Sequence, residues 1–242
     1  MPMSLSEPPH PAPALRLDAD GAELVPAALS DADLTALRAW ADAILHGGSG
    51  VRVFSGSVPG DVLGPAGLVG RHARTVLGAA TRPVRAVMFD KTATSNWAVA
   101  WHQDRTIAVR ARRDAPGYGP WTLKAGVPHA EPPFDILAGM ITLRLHLDDC
   151  DQDNAPLLVV PGSHRLGRVA APDAATVAQR FGHAACLASA GDVWIYATPV
   201  IHASERARQP RRRRVLQVDY ANHDLPYGLE WADVGTDTSI AS

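Results

Sequence analysis

The sequence predicts a mainly β, α+β fold: a double-sheet jelly-roll core backed by N-terminal helices. Three observations carry this. Helical periodicity is confined to the first 80 residues. From residue 82 onward the chain becomes a series of short apolar, often alternating segments separated by turn residues. No internal repeat is visible, which argues against a solenoid or propeller. With 242 residues, 46% of them hydrophobic, the chain can bury one sizeable core.

Residues 1–13, "MPMSLSEPPHPAP", are Pro-rich and are expected to be a disordered tail, leaving 14–242 as a single domain. "LSDADLTALRAWADAIL" (29–45) reads as a helix: Ser30 caps it, Asp31 and Asp33 favour the first turn, and Leu34, Leu37, Ala41 and Leu45 form one apolar stripe. Gly47 and Gly48 end it. "GLVGRHARTVLGAA" (67–80) is a second expected helix. The strand series runs through 83–90, 97–104, 139–150, 155–164, 191–204 and 211–221. In "GMITLRLHLDDC" the alternation is strict, with Leu143, Leu145 and Leu147 on one face and Thr142, Arg144 and His146 on the other. Between the strands, residues 111–133 are expected to be a long Gly/Pro/aromatic loop of the kind that closes over a site.

The formal net charge is −2, which suits neither a general nucleic-acid binder nor an anionic-membrane binder. No apolar run approaches the roughly 18 residues of a membrane span. Cys150 and Cys186 are isolated and fit no metal spacing; they are expected to be free buried thiols in a reducing cytoplasm.

"NWAVAWHQDRT" (96–106) carries the first chemical signal. In a strand, His102 and Asp104 project to the same face, so an imidazole and a carboxylate stand side by side. A metal site needs a third ligand. His202 ends the apolar segment "VWIYATPVIH", from which a strand end can deliver a ligand into a barrel mouth; His129 and His146 are rivals. Two imidazoles and one carboxylate leave three positions open on an octahedral metal, the facial triad of non-haem Fe(II) oxygenases.

The second signal is "RRRR" (211–214), which leads into "VLQVDYA". Along one strand Arg211 and Arg213 share a face with Val215 and Gln217, and Arg212 and Arg214 share the other. One pair is expected to meet solvent. An arginine of the other points inward, where an unpaired guanidinium is costly and calls for a carboxylate to fill its planar fork.

Together "NWAVAWHQD", "LRLHLDDCDQDNAPLLVVPGSHRLG", "GDVWIYATPVIHAS" and the following arginines resemble the phytanoyl-CoA dioxygenase (PhyH) family. The likeness spans about residues 82–221, and "DGAELVPAALSDADLTALRAWAD" resembles the family's opening. It implies a cupin-like jelly roll, Fe(II), 2-oxoglutarate as cosubstrate, and O2. The implied reaction is hydroxylation of an unactivated C–H bond of a small molecule, with release of succinate and CO2. By position, His102, Asp104 and His202 match the metal ligands. Arg213, eleven residues after His202, matches the arginine for the distal carboxylate of 2-oxoglutarate, and Ser204 a hydroxyl that assists it. Lys91 and Asn96 become candidates for the cosubstrate, Arg144 and His146 for the substrate wall. Trp121, Lys124 and His129 are candidates to close over substrate. Trp101 is expected to pack in the opposite layer. One departure is "NAPL" (154–157), where Ala155 replaces the usual Gly; it matters only if that turn needs a positive φ. Competing readings are a jelly-roll metalloenzyme that does not use 2-oxoglutarate (a hydrolase, isomerase or cosubstrate-free dioxygenase) and a non-catalytic small-molecule-binding protein.

Overall fold

The computed structural model describes residues 14–53, 58, 61–232 and 234; the expected 1–13 tail lies outside them. In chain order the elements are α1 (Leu17–Asp20), β1 (Ala22–Val25), α2 (Asp31–Leu45), β2 (Gly50–Arg52), α3 (Gly70–Leu77), β3 (Arg82–Lys91) and β4 (Val99–His102). Then come β5 (Ile107–Ala108), β6 (Trp121–Lys124), β7 (Val127–Ala130), α4 (Phe134–Ala138), β8 (Ile141–His146) and β9 (Leu157–Val159). The chain continues through α5 (Ala174–Phe181), β10 (Ala184–Cys186), β11 (Val193–Ala197), β12 (His202–Ser204) and β13 (Arg213–Ala221).

The strands form a six-stranded sheet in the order β1-β11-β8-β13-β3-β2, a four-stranded sheet β10-β9-β12-β4, and a three-stranded sheet β5-β7-β6. Every ladder is antiparallel. The first two sheets are the jelly-roll pair, and the cavity that holds the candidate site lies between them.

Period-2 alternation divides each strand of the larger sheet between two environments. Leu143, Leu145 and Leu147, with Leu216, Val218 and Tyr220 of β13 and Ala86 and Met88 of β3, join the main core. Helix α2 covers that face with Leu34, Leu37, Ala41 and Leu45, the stripe its sequence predicts. Burying one such leucine contributes about 2 kcal/mol. Ser30 accepts a hydrogen bond from the Asp33 N–H and caps the helix. The other faces turn Arg144, Arg213, Gln217, Arg85, Phe89 and Lys91 inward.

The structure corrects several expectations. Residues 191–204 are two strands rather than one. Between β11 and β12 a turn closes with the Val200 N–H donating to the Ala197 carbonyl, and Pro199 has no N–H to continue a ladder. The chain thereby crosses from the large sheet to the small one, and His202 opens a strand instead of ending one. The 111–133 segment contains the β6–β7 hairpin; its strands are only four residues each and β7 contains Pro128, which hides them from a periodicity reading. Of the outward pair, Arg212 stays exposed as expected and Arg214 does not. Arg214 is buried against Asp148 and Asp42, and Arg212 pairs with Asp90 and Asp42, so both tie the sheet to α2. Elements β1, α5 and β10 have no counterpart in the sequence reading. The turn at Ala155 does take a positive φ of 55°.

Candidate metal centre

The site starts from one backbone register. In the β12–β4 ladder His202 stands directly opposite His102, so both imidazoles leave the small sheet side by side, their ring centroids 4.3 Å apart. Each ring is fixed by its own strand. His102 Nδ1 donates to the Ala100 carbonyl at 2.8 Å and His202 Nδ1 to the Val200 carbonyl at 2.9 Å. A carbonyl can only accept, so both Nδ1 atoms carry the proton and both Nε2 lone pairs are free for a metal. Asp104 follows two residues after His102. One atom from each of His102, Asp104 and His202 falls within a cluster no wider than 4.8 Å.

The electrostatics suit a cation. Burial pushes Asp104 up, but neighbouring positive charge, that of Arg85 foremost, outweighs it and holds the carboxylate below its ordinary range. Burial pushes His202 down to about 4, so it is neutral at physiological pH. Asp104 Oδ2 is buried without a hydrogen-bond partner, with Arg85 Nη2 3.8 Å away. An ionised, unsatisfied oxygen beside two bare imidazole lone pairs is the donor set of a divalent transition metal.

A cavity of about 130 Å³ runs from this cluster between the sheets. Arg213 lines it, 3% exposed, with neither Nε nor Nη1 partnered. Burial, with Arg144 beside it, pushes Arg213 down to about 10. Opposite Arg213 in the β13–β3 ladder stands Lys91, whose ammonium donates to Ser204 Oγ at 3.0 Å and the Glu205 carbonyl at 3.1 Å and lies over the Trp97 ring. Burial, then Arg213 and Arg144, depress Lys91 to about 7. Ser204 Oγ also reaches the Ala155 carbonyl at 3.2 Å, so the left-handed turn at Ala155 touches the cavity wall.

The remaining expected site residues divide. Arg144 lines the cavity, and His146 is fully buried two residues along the same face. Asn96 does not line it: both of its amide atoms pair with the Ala207 backbone, clamping the segment before β13 to the β3–β4 connection. Trp121 packs into a separate cluster under the three-stranded sheet, with Arg112 over its ring. Lys124 donates to Thr106 Oγ1, and burial, then the charges of Arg85 and Arg52, lower its pKa. His129 is buried in the same sheet with Nε2 unpartnered, and burial pushes it down to about 4. Neither His129 nor His146 belongs to the metal cluster. Trp101 packs on the far side of β4 against α5 residues, and its ring meets His183. Arg85, Phe89, Trp97 and Gln217 line the cavity without having been singled out. The alternation 85, 87, 89, 91 puts Arg85 on the face of Lys91, and that spacing was sufficient to find it.

A jelly roll whose cavity wall carries two imidazoles, a carboxylate and a buried guanidinium with two unpartnered nitrogens defines a class, the mononuclear non-haem metal enzymes of this fold. The chain belongs to the phytanoyl-CoA dioxygenase (PhyH) family, whose model matches residues 17–215. The family is Fe(II)- and 2-oxoglutarate-dependent. Comparison with curated proteins finds no match. Among solved structures, HygX from Streptomyces hygroscopicus with nickel and 2-oxoglutarate bound superposes with a TM-score of 0.58 at 14% identity, covering 85% of this chain and 84% of that one. SnoN, an epimerase solved with Fe3+, alpha ketoglutarate and nogalamycin RO, gives 0.60 at 18% identity over 92% and 94%. EctD from S. alaskensis gives 0.61 at 16% over 85% and 74%. These likenesses establish the shared fold. None of the described helices is long and apolar enough to cross a membrane.

Proposed function

We propose that this protein is an Fe(II)- and 2-oxoglutarate-dependent dioxygenase that hydroxylates an unactivated C–H bond of a small molecule. The observation that carries it is Arg213: a guanidinium almost wholly buried, two of its nitrogens unpartnered, across a small cavity from a two-histidine, one-carboxylate cluster. Such a charge is stable only if an anion regularly occupies the cavity. A metalloenzyme without an acidic cosubstrate, or a plain binding protein, leaves that charge without a purpose.

In this reading His102, Asp104 and His202 hold iron, and Arg213 takes the distal carboxylate of 2-oxoglutarate in a bidentate grip. Ser204 is held by Lys91 beside that carboxylate. Arg85, bonded to Asp219 through Nε at 2.9 Å, orients Asp104 so that one oxygen faces the metal. The apolar walls, Phe89, Trp97 and Leu157 among them, keep the reacting centre dry. When bound, iron and 2-oxoglutarate supply the coupling of keto-acid decarboxylation by O2 to oxidation of a substrate C–H bond. Hygromycin B is bound by HygX and nogalamycin RO by SnoN, and a natural-product-sized small molecule is the substrate class proposed here. The domain is taken as 14–242, and the free buried Cys150 and Cys186 fit a reducing, cytoplasmic setting.

The test is succinate release from Fe(II), 2-oxoglutarate and O2 across a panel of small acids, amino acids, thioesters and glycosides, with products read for added oxygen and for inversion. Wild type should release succinate, and His102→Ala and Arg213→Ala should lose at least a hundredfold. Inversion without oxygen incorporation would replace hydroxylation by epimerisation. Turnover that ignores 2-oxoglutarate would overturn the cosubstrate assignment.

A further inference from the structure

The cavity wall carries four cationic side chains, Arg85, Lys91, Arg144 and Arg213, against one carboxylate, Asp104. Three of the four cations are accounted for. Arg85 is bonded to Asp219 and faces Asp104. Lys91 has two oxygen acceptors. Arg213 is matched to one end of a diacid in the proposed function. Arg144 is left over. It is 8% exposed, and the only hydrogen bond its guanidinium makes among the described residues is from Nη1 to the Gln217 amide oxygen at 2.7 Å. Its Nε is buried without a partner, and among the described residues no carboxylate forms an ion pair with it.

Its place in the cavity narrows what it can bind. On the large sheet Arg144 is level with Gln217 of β13, four residues beyond Arg213, and its guanidinium lies 5.8 Å from the centre of the Phe89 ring. It stands between the two ends of the cavity wall: along β13 its partner Gln217 lies between Arg213, opposite Lys91, and Asp219, whose partner Arg85 faces Asp104. His146, the next inward residue on β8, is buried with both ring nitrogens unpartnered, and an imidazole, neutral or cationic, supplies no negative charge to pair with Arg144.

We propose that Arg144 binds the metal-proximal carboxylate of the keto-diacid while Arg213 binds the distal one, so that the cosubstrate is gripped at both ends by arginine. The inference rests on the proposed use of 2-oxoglutarate. It adds a residue that recognises the 2-oxo acid end, independent of chain length, where Arg213 recognises only the far carboxylate.

The test compares two ligands by calorimetry on the anaerobic Mn(II)-loaded protein: 2-oxoglutarate, and 2-oxopentanoate, which has the same chain without the distal carboxylate. Arg213→Met should weaken 2-oxoglutarate to the level of 2-oxopentanoate and leave 2-oxopentanoate unchanged. Arg144→Gln, which keeps a donor for Gln217, should weaken both ligands at least tenfold with Mn(II) still bound. Arg144→Lys keeps the buried charge but loses the fork, so it should weaken both severalfold; it carries the test if the Gln variant fails to fold. Unchanged 2-oxopentanoate binding in the Arg144 variants overturns the inference, as does a loss confined to 2-oxoglutarate. If wild type binds no 2-oxoglutarate, the underlying function fails; if wild type and Arg213→Met behave as stated and only the Arg144 variants do not, the inference alone fails.

Discussion

Lys91 shows how one residue's surroundings set a measurable pH response. Burial and two neighbouring guanidinium groups bring it to about 7 in the empty cavity. A dianion placed beside it reverses that field and raises its proton affinity. The complex then holds more protons than the free protein at pH values above 7, so binding takes up a proton there and weakens as pH rises. Between the free and bound values the dissociation constant for 2-oxoglutarate should grow by up to about tenfold per pH unit. Calorimetry on Mn(II)-loaded protein from pH 6 to 9 should show that slope, and Lys91→Met should flatten it. A flat profile in wild type would mean that Lys91 does not feel the ligand. Asp104 was legible as an acid two after a histidine; the alternation called for an inward arginine but left open which pair it belonged to, and only the family resemblance singled out Arg213. The role of Asn96 was not legible: its polar side chain serves the Ala207 backbone, and no spacing distinguishes that from a ligand contact.

Among the elements, the strands with strict alternation were readable and the interrupted ones were not. Strand β8 came through because every second residue from Leu143 to Leu147 is leucine. The break between β11 and β12 is signalled only by Pro199, yet that crossing is what sets His202 opposite His102. The β6–β7 hairpin was hidden for a related reason: its two-residue turn places Ala125 at φ 50° and Gly126 at φ 79°, a geometry usually marked by Asn-Gly. Alanine in the left-handed region costs about 1 kcal/mol, and Ala125 is exposed, so no packing is at stake. Ala125→Asn should therefore stabilise the protein by about 0.5–1 kcal/mol, raising its denaturation midpoint. A lowered midpoint would show that the turn is not of this type. Ala155 shares the left-handed geometry, but it is buried against the site, and removing its methyl group also removes packing.

For the molecule as a whole, two sheets divide the labour. The large sheet is braced from outside by α2, through leucines and through the ion pairs of Arg212 and Arg214 with Asp42, and it presents its cations inward. The small sheet carries the two histidines. His102 and Asp104 lie about a hundred residues before His202 and Arg213; the β12–β4 register brings the histidines together, and closure of the two sheets sets Arg213 on the facing wall. The jelly-roll class was predictable from the order of helical and strand signals; the assignment of each strand to a sheet was not, because periodicity records which face is buried and not which neighbour covers it. The most direct test of this arrangement is the visible absorption of the anaerobic protein as Fe(II) and then 2-oxoglutarate are added. A metal-to-keto-acid charge-transfer band should appear in wild type, vanish in His102→Ala and weaken in Arg213→Ala at equal ligand concentration. Absence of the band in wild type, or its full survival in His102→Ala, would contradict the account.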